Sequence, residues 1–326
     1  MKNTFDIVLL TALPASGKSE VRRFLANVPS KILETDFHIG ETLQLDDFPY
    51  VHMMRRIDDE LALLKKDRIF FQSGEKPFKN PYDWGTLIET INQDYDDLIN
   101  SRKYKVKSAG VWLMEKIDSA AEKAGIKPRL KILGDDVYNK IAEKIEKEAN
   151  DILLEKYKSY TKDFNNKTIV IEFARGGADG SSMPLKKPFG YDYSFSMLSP
   201  EIIKKSVILY IWVTPEESRR KNNARANPND PGSILHHGVP IDVMLNDYGC
   251  DDMEWLYNNS EIKDTITVNK NGGKYHIPFA RFDNRVDKTS FLRDDVSKWD
   301  KEKVELVKRE IKSATDKLYS LFAKKN

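Results

Sequence analysis

The sequence predicts an α/β fold, and three observations carry that reading. Uninterrupted apolar runs of strand length recur at Ile7–Ala12, Thr168–Phe173 and Val207–Val213, the pattern of strands buried on both faces. Elsewhere apolar residues repeat at helical spacing, as in Met54, Ile57, Leu61 and Leu64, or Val137, Ile141, Ile145 and Ala149. The composition, 40% hydrophobic over 326 residues, supplies a core, while no apolar run approaches the roughly 18–20 residues needed to cross a bilayer.

Taken in order, the first strand covers about 6–12, and a small-residue turn leads into an amphipathic helix from Lys18 carrying Val21, Phe24 and Leu25. Lys31–Thr35 reads as a second strand ending at Asp36. Residues 37–165 read as mainly helical, with further stripes at Leu87, Ile91, Tyr95 and Leu98 and at Met114, Ile117 and Ala121. Strands resume near 168–173 and 207–213, separated by a long loop, Gly176–Tyr193. Thr214 as N-cap with Pro215 at the first helical position starts another helix, which runs into a mobile loop rich in Asn, Pro and Gly at Asn227–Gly238. Asp251 and Asp252 read as the N-cap of a helix over Met253–Tyr257. A hairpin spans Ile266–Ala280, and Pro278 within its second strand calls for a sheet edge. Val304, Val307, Ile311, Ala314, Leu318 and Leu321 mark a closing helix.

Charge and cysteine content narrow the function. With 53 Lys+Arg against 51 Asp+Glu the net charge is +2, which argues against a protein dedicated to coating nucleic acid. Cys250 is the single cysteine, so neither an intrachain disulfide nor a Cys-based zinc site is expected. Asp6 interrupts the apolar N-terminal run, and a reducing, cytoplasmic setting is expected. The pair His236-His237, without nearby Cys, reads as a loop or substrate element rather than a zinc site.

One motif carries chemistry. Ala12-Leu-Pro-Ala-Ser-Gly17-Lys18-Ser19 fits the phosphate-binding loop, with Ala12 where the first glycine usually stands. Backbone N–H groups of Pro14–Gly17's turn and of the helix start through Lys18, Ser19 and Glu20 would cradle phosphate oxygens. Lys18 adds a point charge, and the Ser19 hydroxyl is placed for Mg²⁺. The nucleotide-binding set is therefore Pro14, Ala15, Ser16, Gly17, Lys18, Ser19 and Glu20.

With these residues the chain resembles the P-loop kinases of nucleosides, nucleotides and small metabolites, the adenylate-kinase-like class. The matching stretches, 1–38, 167–177, 205–226 and 275–285, cover about a quarter of the chain. The resemblance implies a P-loop NTPase-type five-stranded parallel sheet flanked by helices. It further implies a core of 1–36 and 166–326 and a lid near 226–239; the helical insertion, 37–165, read from its apolar stripes, matches nothing in that class and is expected to bind the acceptor. ATP would be the donor and Mg²⁺ the metal, held by Ser19 and water-linked Glu172. Asp36 would orient or deprotonate the acceptor, its plain alternative being a helix or turn cap. Arg175, Gly176 and Gly177 would face the acceptor, Arg175 equally reading as a structural ion pair. Arg219, Arg220 and Arg225 follow Pro215-Glu216-Glu217, and at least one would neutralise the transferred phosphoryl group. Asp283 and Asn284 would lie near the adenine.

The implied reaction transfers phosphoryl to a small-molecule acceptor. Two rivals stay open: a kinase acting on a nucleic-acid end or modified base, using Arg55, Arg56, Lys65, Lys66, Arg102, Lys103, Lys105 and Lys107, and a nucleotide-dependent switch. The stretch Phe70–Trp84 reads either as a base- or sugar-binding surface or as core packing.

Overall fold

In the computed structural model, which describes residues 3–225 and 238–325, six strands share one sheet. They are β1 (Ile7–Thr11), β2 (Glu41–Asp46), β3 (Lys167–Phe173), β4 (Ser206–Trp212), β5 (Thr265–Lys270) and β6 (Gly273–Asp283), in the order β2-β3-β1-β4-β6-β5. All neighbours run parallel except β5, which pairs antiparallel with β6. The fold is thus α/β, with a mostly parallel mixed sheet flanked by helices.

The central strands are apolar throughout because helices cover both faces. Along β1 the residues alternate: Val8 and Leu10 pack with Val21, Phe24 and Leu25 of α1 (Lys18–Ala26) and Phe37 of α2 (Ser30–Phe37). Ile7 and Leu9 face the opposite layer. Between β2 and β3 come α3 (Phe48–Leu63), α4 (Asp83–Ile99), α5 (Ala109–Lys123) and α6 (Asp135–Lys158). Ile88, Ile91, Tyr95 and Leu98 of α4 lie against the sheet. Met53, Ile57, Leu113, Ile117, Ile141 and Ile145 form a cluster that reaches Leu13 and Val213 at the carboxyl edge of the sheet. Next are α7 (Gly190–Met197), α8 (Pro200–Lys205), α9 (Pro215–Arg225), α10 (Ile241–Asn246) and α11 (Met253–Asn258). Finally α12 (Lys301–Lys325) packs on the α1 face through Val307, Ile311 and Leu318.

Several expectations are corrected, the first being the five-stranded parallel sheet: there are six strands, and β5 is antiparallel to β6. Lys31–Thr35 is not a strand but part of α2, whose Leu33 and Phe37, one helical turn apart, bury against α12 and α1. The second strand is Glu41–Asp46, inside the stretch read as helical. It lies at the sheet edge, where only Leu43 and Leu45 are buried and polar residues alternate with them. Pro278 does not mark an edge, since β6 lies between β4 and β5; pairing with β4 starts only at Phe279, so the missing N–H breaks no bond there. Near Gly249-Cys250, Asp251 accepts the Met253 N–H at 3.0 Å, but Asp252 caps α7, accepting Tyr191 N–H at 2.6 Å and Asp192 N–H at 3.2 Å. Among the described residues no helix is long and apolar enough to cross a membrane.

Candidate functional site

A cleft opens at the carboxyl ends of β1, β2 and β3. The chain leaves β1 past β3 towards β2, and leaves β3 the opposite way, past β1 towards β4. Adjacent strands whose connections part in this way leave a crevice, the usual ligand position in open α/β sheets.

At one end the wall is the turn from Ala12 to Ser19. Ala15 (φ 54°) and Gly17 (φ 108°) are both left-handed, a backbone conformation of the kind that builds anion nests. Gly17 has no substitute: a Cβ there would lie 2.5 Å from Thr289 Oγ1 and 2.8 Å from Asn284 Nδ2. The turn is tied down from behind. Asn284 donates to Ser16 O at 2.6 Å, Ser218 to Pro14 O at 2.7 Å and Tyr191 to Ala12 O at 2.9 Å. Lys18 is buried with its Nζ 3.4 Å from Leu13 O, and the half-buried Ser19 lines the same cleft.

Opposite the turn stands a group of carboxylates. Asp46 and Glu172 are register partners on β2 and β3, so their side chains share the sheet face covered by α1. Arg22 of α1 donates to Glu172 at 2.6 Å and also bonds Gln44. Burial, then the charges of Glu172 and Asp47, push the Asp46 carboxyl up to about 8, although the Phe48 N–H donates to it at 2.7 Å. Asp47 is also raised by burial, against the pull of Arg175, which donates to it at 2.7 Å. Burial is the larger cause at both aspartates, and the charges of Arg22, Arg175 and Lys18 offset it only in part.

The other end of the cleft is apolar, walled by Val51, Phe71, Phe78, Trp84, Val243 and Tyr248 and interrupted by Arg55 and Asp247.

Several sequence-predicted residues fall elsewhere. Asp36, on α2, is contacted from α12, its backbone oxygen accepting from Lys312 at 3.4 Å, and it is off the cleft. Arg175 is fully enclosed behind the wall, its guanidinium 5.0 Å from the centre of the Trp84 ring. Gly176 and Gly177 permit a close approach of protein backbone rather than ligand: a Cβ on Gly176 would meet Cys250 O at 2.4 Å, and Gly177 N–H donates to that oxygen at 2.9 Å. Arg219 lies 3.5 Å from Glu216, and Arg220 makes two 2.7 Å bonds to Glu217, both off the cleft walls. Asp283 is paired with Arg285 at 2.7 Å, while Asn284 serves the turn itself. Glu20 lines the cleft edge but pairs with Arg293 at 2.5 Å. The side chain of Arg225, residues 226–237 of the expected lid, and His236-His237 lie outside the described residues.

Sequence reasoning missed Asp46, Asp47, Arg22 and Asp247, and named Arg55 only as part of a basic groove for nucleic acid. The signal for the first two is the alternation Leu43-Gln44-Leu45 running into Asp46-Asp47-Phe48-Pro49, a strand end followed by proline in the first helical turn.

Among the described residues no three His, Cys, Asp or Glu side chains are arranged to hold a metal ion. Mg²⁺ held through one hydroxyl, phosphate oxygens and water needs no such cage, and the Ser19 hydroxyl with the nearby acidic corner fits that mode. No family model, curated protein or solved structure matches the chain.

Proposed function

We propose that the protein is an ATP- and Mg²⁺-dependent phosphotransferase acting on a small molecule, with Asp46 rather than Asp36 at the acceptor. The observation that carries the reading is the juxtaposition, across one cleft, of a left-handed anion-nest turn with its buried Lys18 and the carboxyl group of Asp46 at the end of β2.

In this reading backbone N–H groups of Ala15–Ser19, at the turn and the start of α1, hold the β- and γ-phosphates, and Lys18 neutralises the oxygens around the transferred group. Ser19, and Glu172 through water, would hold Mg²⁺, which would supply neutralisation of the phosphate charge. Asp46 in its ionised form accepts the hydroxyl proton of the acceptor as the new O–P bond forms and the bond from the γ-phosphorus to the departing ADP oxygen breaks. Arg175 fixes Asp47, and Arg22 fixes Glu172, which keeps the corner in register.

The test is ADP release over a panel of hydroxyl- and phosphate-bearing metabolites. The reading expects release that depends on one class of acceptor and is lost in Lys18→Ala. Release unaffected by every acceptor favours a nucleotide-dependent switch, and release unaffected by Lys18→Ala overturns the phosphate assignment.

A further inference from the structure

Beyond Asp46 the cleft changes character. Phe71 and Phe78 stack with centroids 4.4 Å apart, Trp84 meets Phe78 edge-on at 5.0 Å, and Tyr248 meets Trp84 edge-on at 5.5 Å. Together they make a rigid aromatic wall. Two charged groups interrupt it. Arg55 lies over the Phe71 ring, its guanidinium carbon 3.8 Å from the ring centre, with Nη1 donating to Gly74 O at 2.6 Å. Asp247 is 4% exposed, and among the described residues its carboxyl group has no hydrogen bond or ion pair. Burial pushes that carboxyl up to about 7, with the charge of Arg55 acting against the shift. The guanidinium and the carboxyl influence each other and line the same cleft, yet they do not form a salt bridge.

A wholly apolar ligand would cut the Asp247 carboxyl off from the open cleft without giving it a partner, which is unfavourable. A sugar would present hydroxyls around a puckered ring to a wall offering only two polar side chains. A flat heteroaromatic ring meets both demands: its faces stack on the aromatic wall, and an acceptor beside a donor on its edge engages Arg55 and Asp247 in turn. That edge pattern belongs to nucleobases, and proteins read unstacked bases by this combination of aromatic contact and edge hydrogen bonds.

We infer that the aromatic end of the cleft is a nucleobase pocket, its edge read by Arg55 and Asp247 and its ring packed on the wall that includes Phe71 and Trp84. Resting on the phosphotransferase reading, this makes the acceptor a nucleoside or nucleotide whose sugar or phosphate oxygen lies towards Asp46.

The test needs no turnover. Tryptophan fluorescence is titrated with the common nucleosides and, separately, with sugar phosphates, in the absence of ATP. A saturable response to at least one nucleoside and none to sugar phosphates is expected. Trp84→Phe should remove that response although four of the five tryptophans remain. Asp247→Asn and Arg55→Met should each weaken the nucleoside about 10-fold or more, the loss of one edge contact. Thermal melting identifies variants that fold, and Arg55→Met, at a half-buried position, decides the matter should Asp247→Asn not fold. Absence of any nucleoside response, or unchanged affinity in the folded variants, overturns the inference. Acceptor-dependent ADP release with sugars alone would overturn it too while sparing the phosphotransferase reading. Nucleoside binding in a protein that never binds ATP would do the reverse.

Discussion

At the end of the cleft proposed to hold phosphate, the lining groups are the turn from Pro14 to Ser19 and side chains at the ends of β2 and β3. At the aromatic end they are side chains delivered by α3, by the 71–84 stretch and by Tyr248 and Asp247 after α10. The first end is specified by conformation: two left-handed residues and a glycine that nothing else can replace. The second is specified by assembly, through rings and charges far apart in the chain that meet only after the helices pack. A backbone-built site tolerates change in its surroundings but none at its turn. A side-chain-built site shows the opposite sensitivity.

The sharpest break in that comparison is Gly17→Ala. One methyl group would meet Thr289 Oγ1 at 2.5 Å with φ at 108°, so the turn must unwind and release Asn284. Nucleotide binding should become undetectable by calorimetry, with stability falling by about 1–3 kcal/mol from strain. Nucleoside binding at the aromatic end should persist in the same variant.

Asp46→Asn comes next. Turnover should fall on the order of 10²–10⁴-fold if Asp46 handles the acceptor proton. Stability should move the other way. The folded carboxyl titrates at about 8 and the unfolded one near 3.8, so the native state holds a proton that the unfolded chain has released. Wild-type stability therefore declines as pH rises from about 4 to about 8, and the Asn variant escapes that decline. Thermal melts across this range should show the variant's advantage growing with pH and levelling off above about 8.

Asp247→Asn tests the other end by the same logic. Its carboxyl is raised to about 7, so the stability gain should appear over a narrower range and level off above about 7. The kinetic loss should appear mainly in the acceptor's KM rather than in kcat, because the group binds and does not react. The smallest effect is expected from Asp36→Asn on α2, outside both ends. Melting and turnover should match wild type, with any stability change within about 0.5 kcal/mol.

These differences also explain what the sequence discloses. Ile7–Ala12 is readable because a central strand must be apolar on both faces, and the turn is readable because its glycine and lysine have few other uses at a strand-to-helix junction. The second strand is harder to find. As an edge strand it carries Glu41, Gln44 and Asp46 between Leu43 and Leu45, so it lacks an apolar run, while Lys31–Thr35 imitates one with Ile32 and Leu33 on a short helix. That one misplacement puts Asp36 where Asp46 belongs at the strand end. Phe71, Phe78 and Trp84 are nearly fully buried, and nothing local separates a pocket wall from ordinary core. Asp247 has no neighbour in sequence to mark it; only the fold brings it to the cleft that Arg55 and Trp84 also line.

The central claim, that the turn from Ala12 to Ser19 holds a nucleoside triphosphate, is tested most directly by calorimetric titration of Mg·ATP into wild-type protein and Lys18→Ala. Wild type should bind one equivalent, and the variant, folded by its melting curve, should bind about 10²-fold or more weakly, the loss of one charge on the phosphates. Equal affinity in the two proteins, or no binding by wild type, would contradict the account.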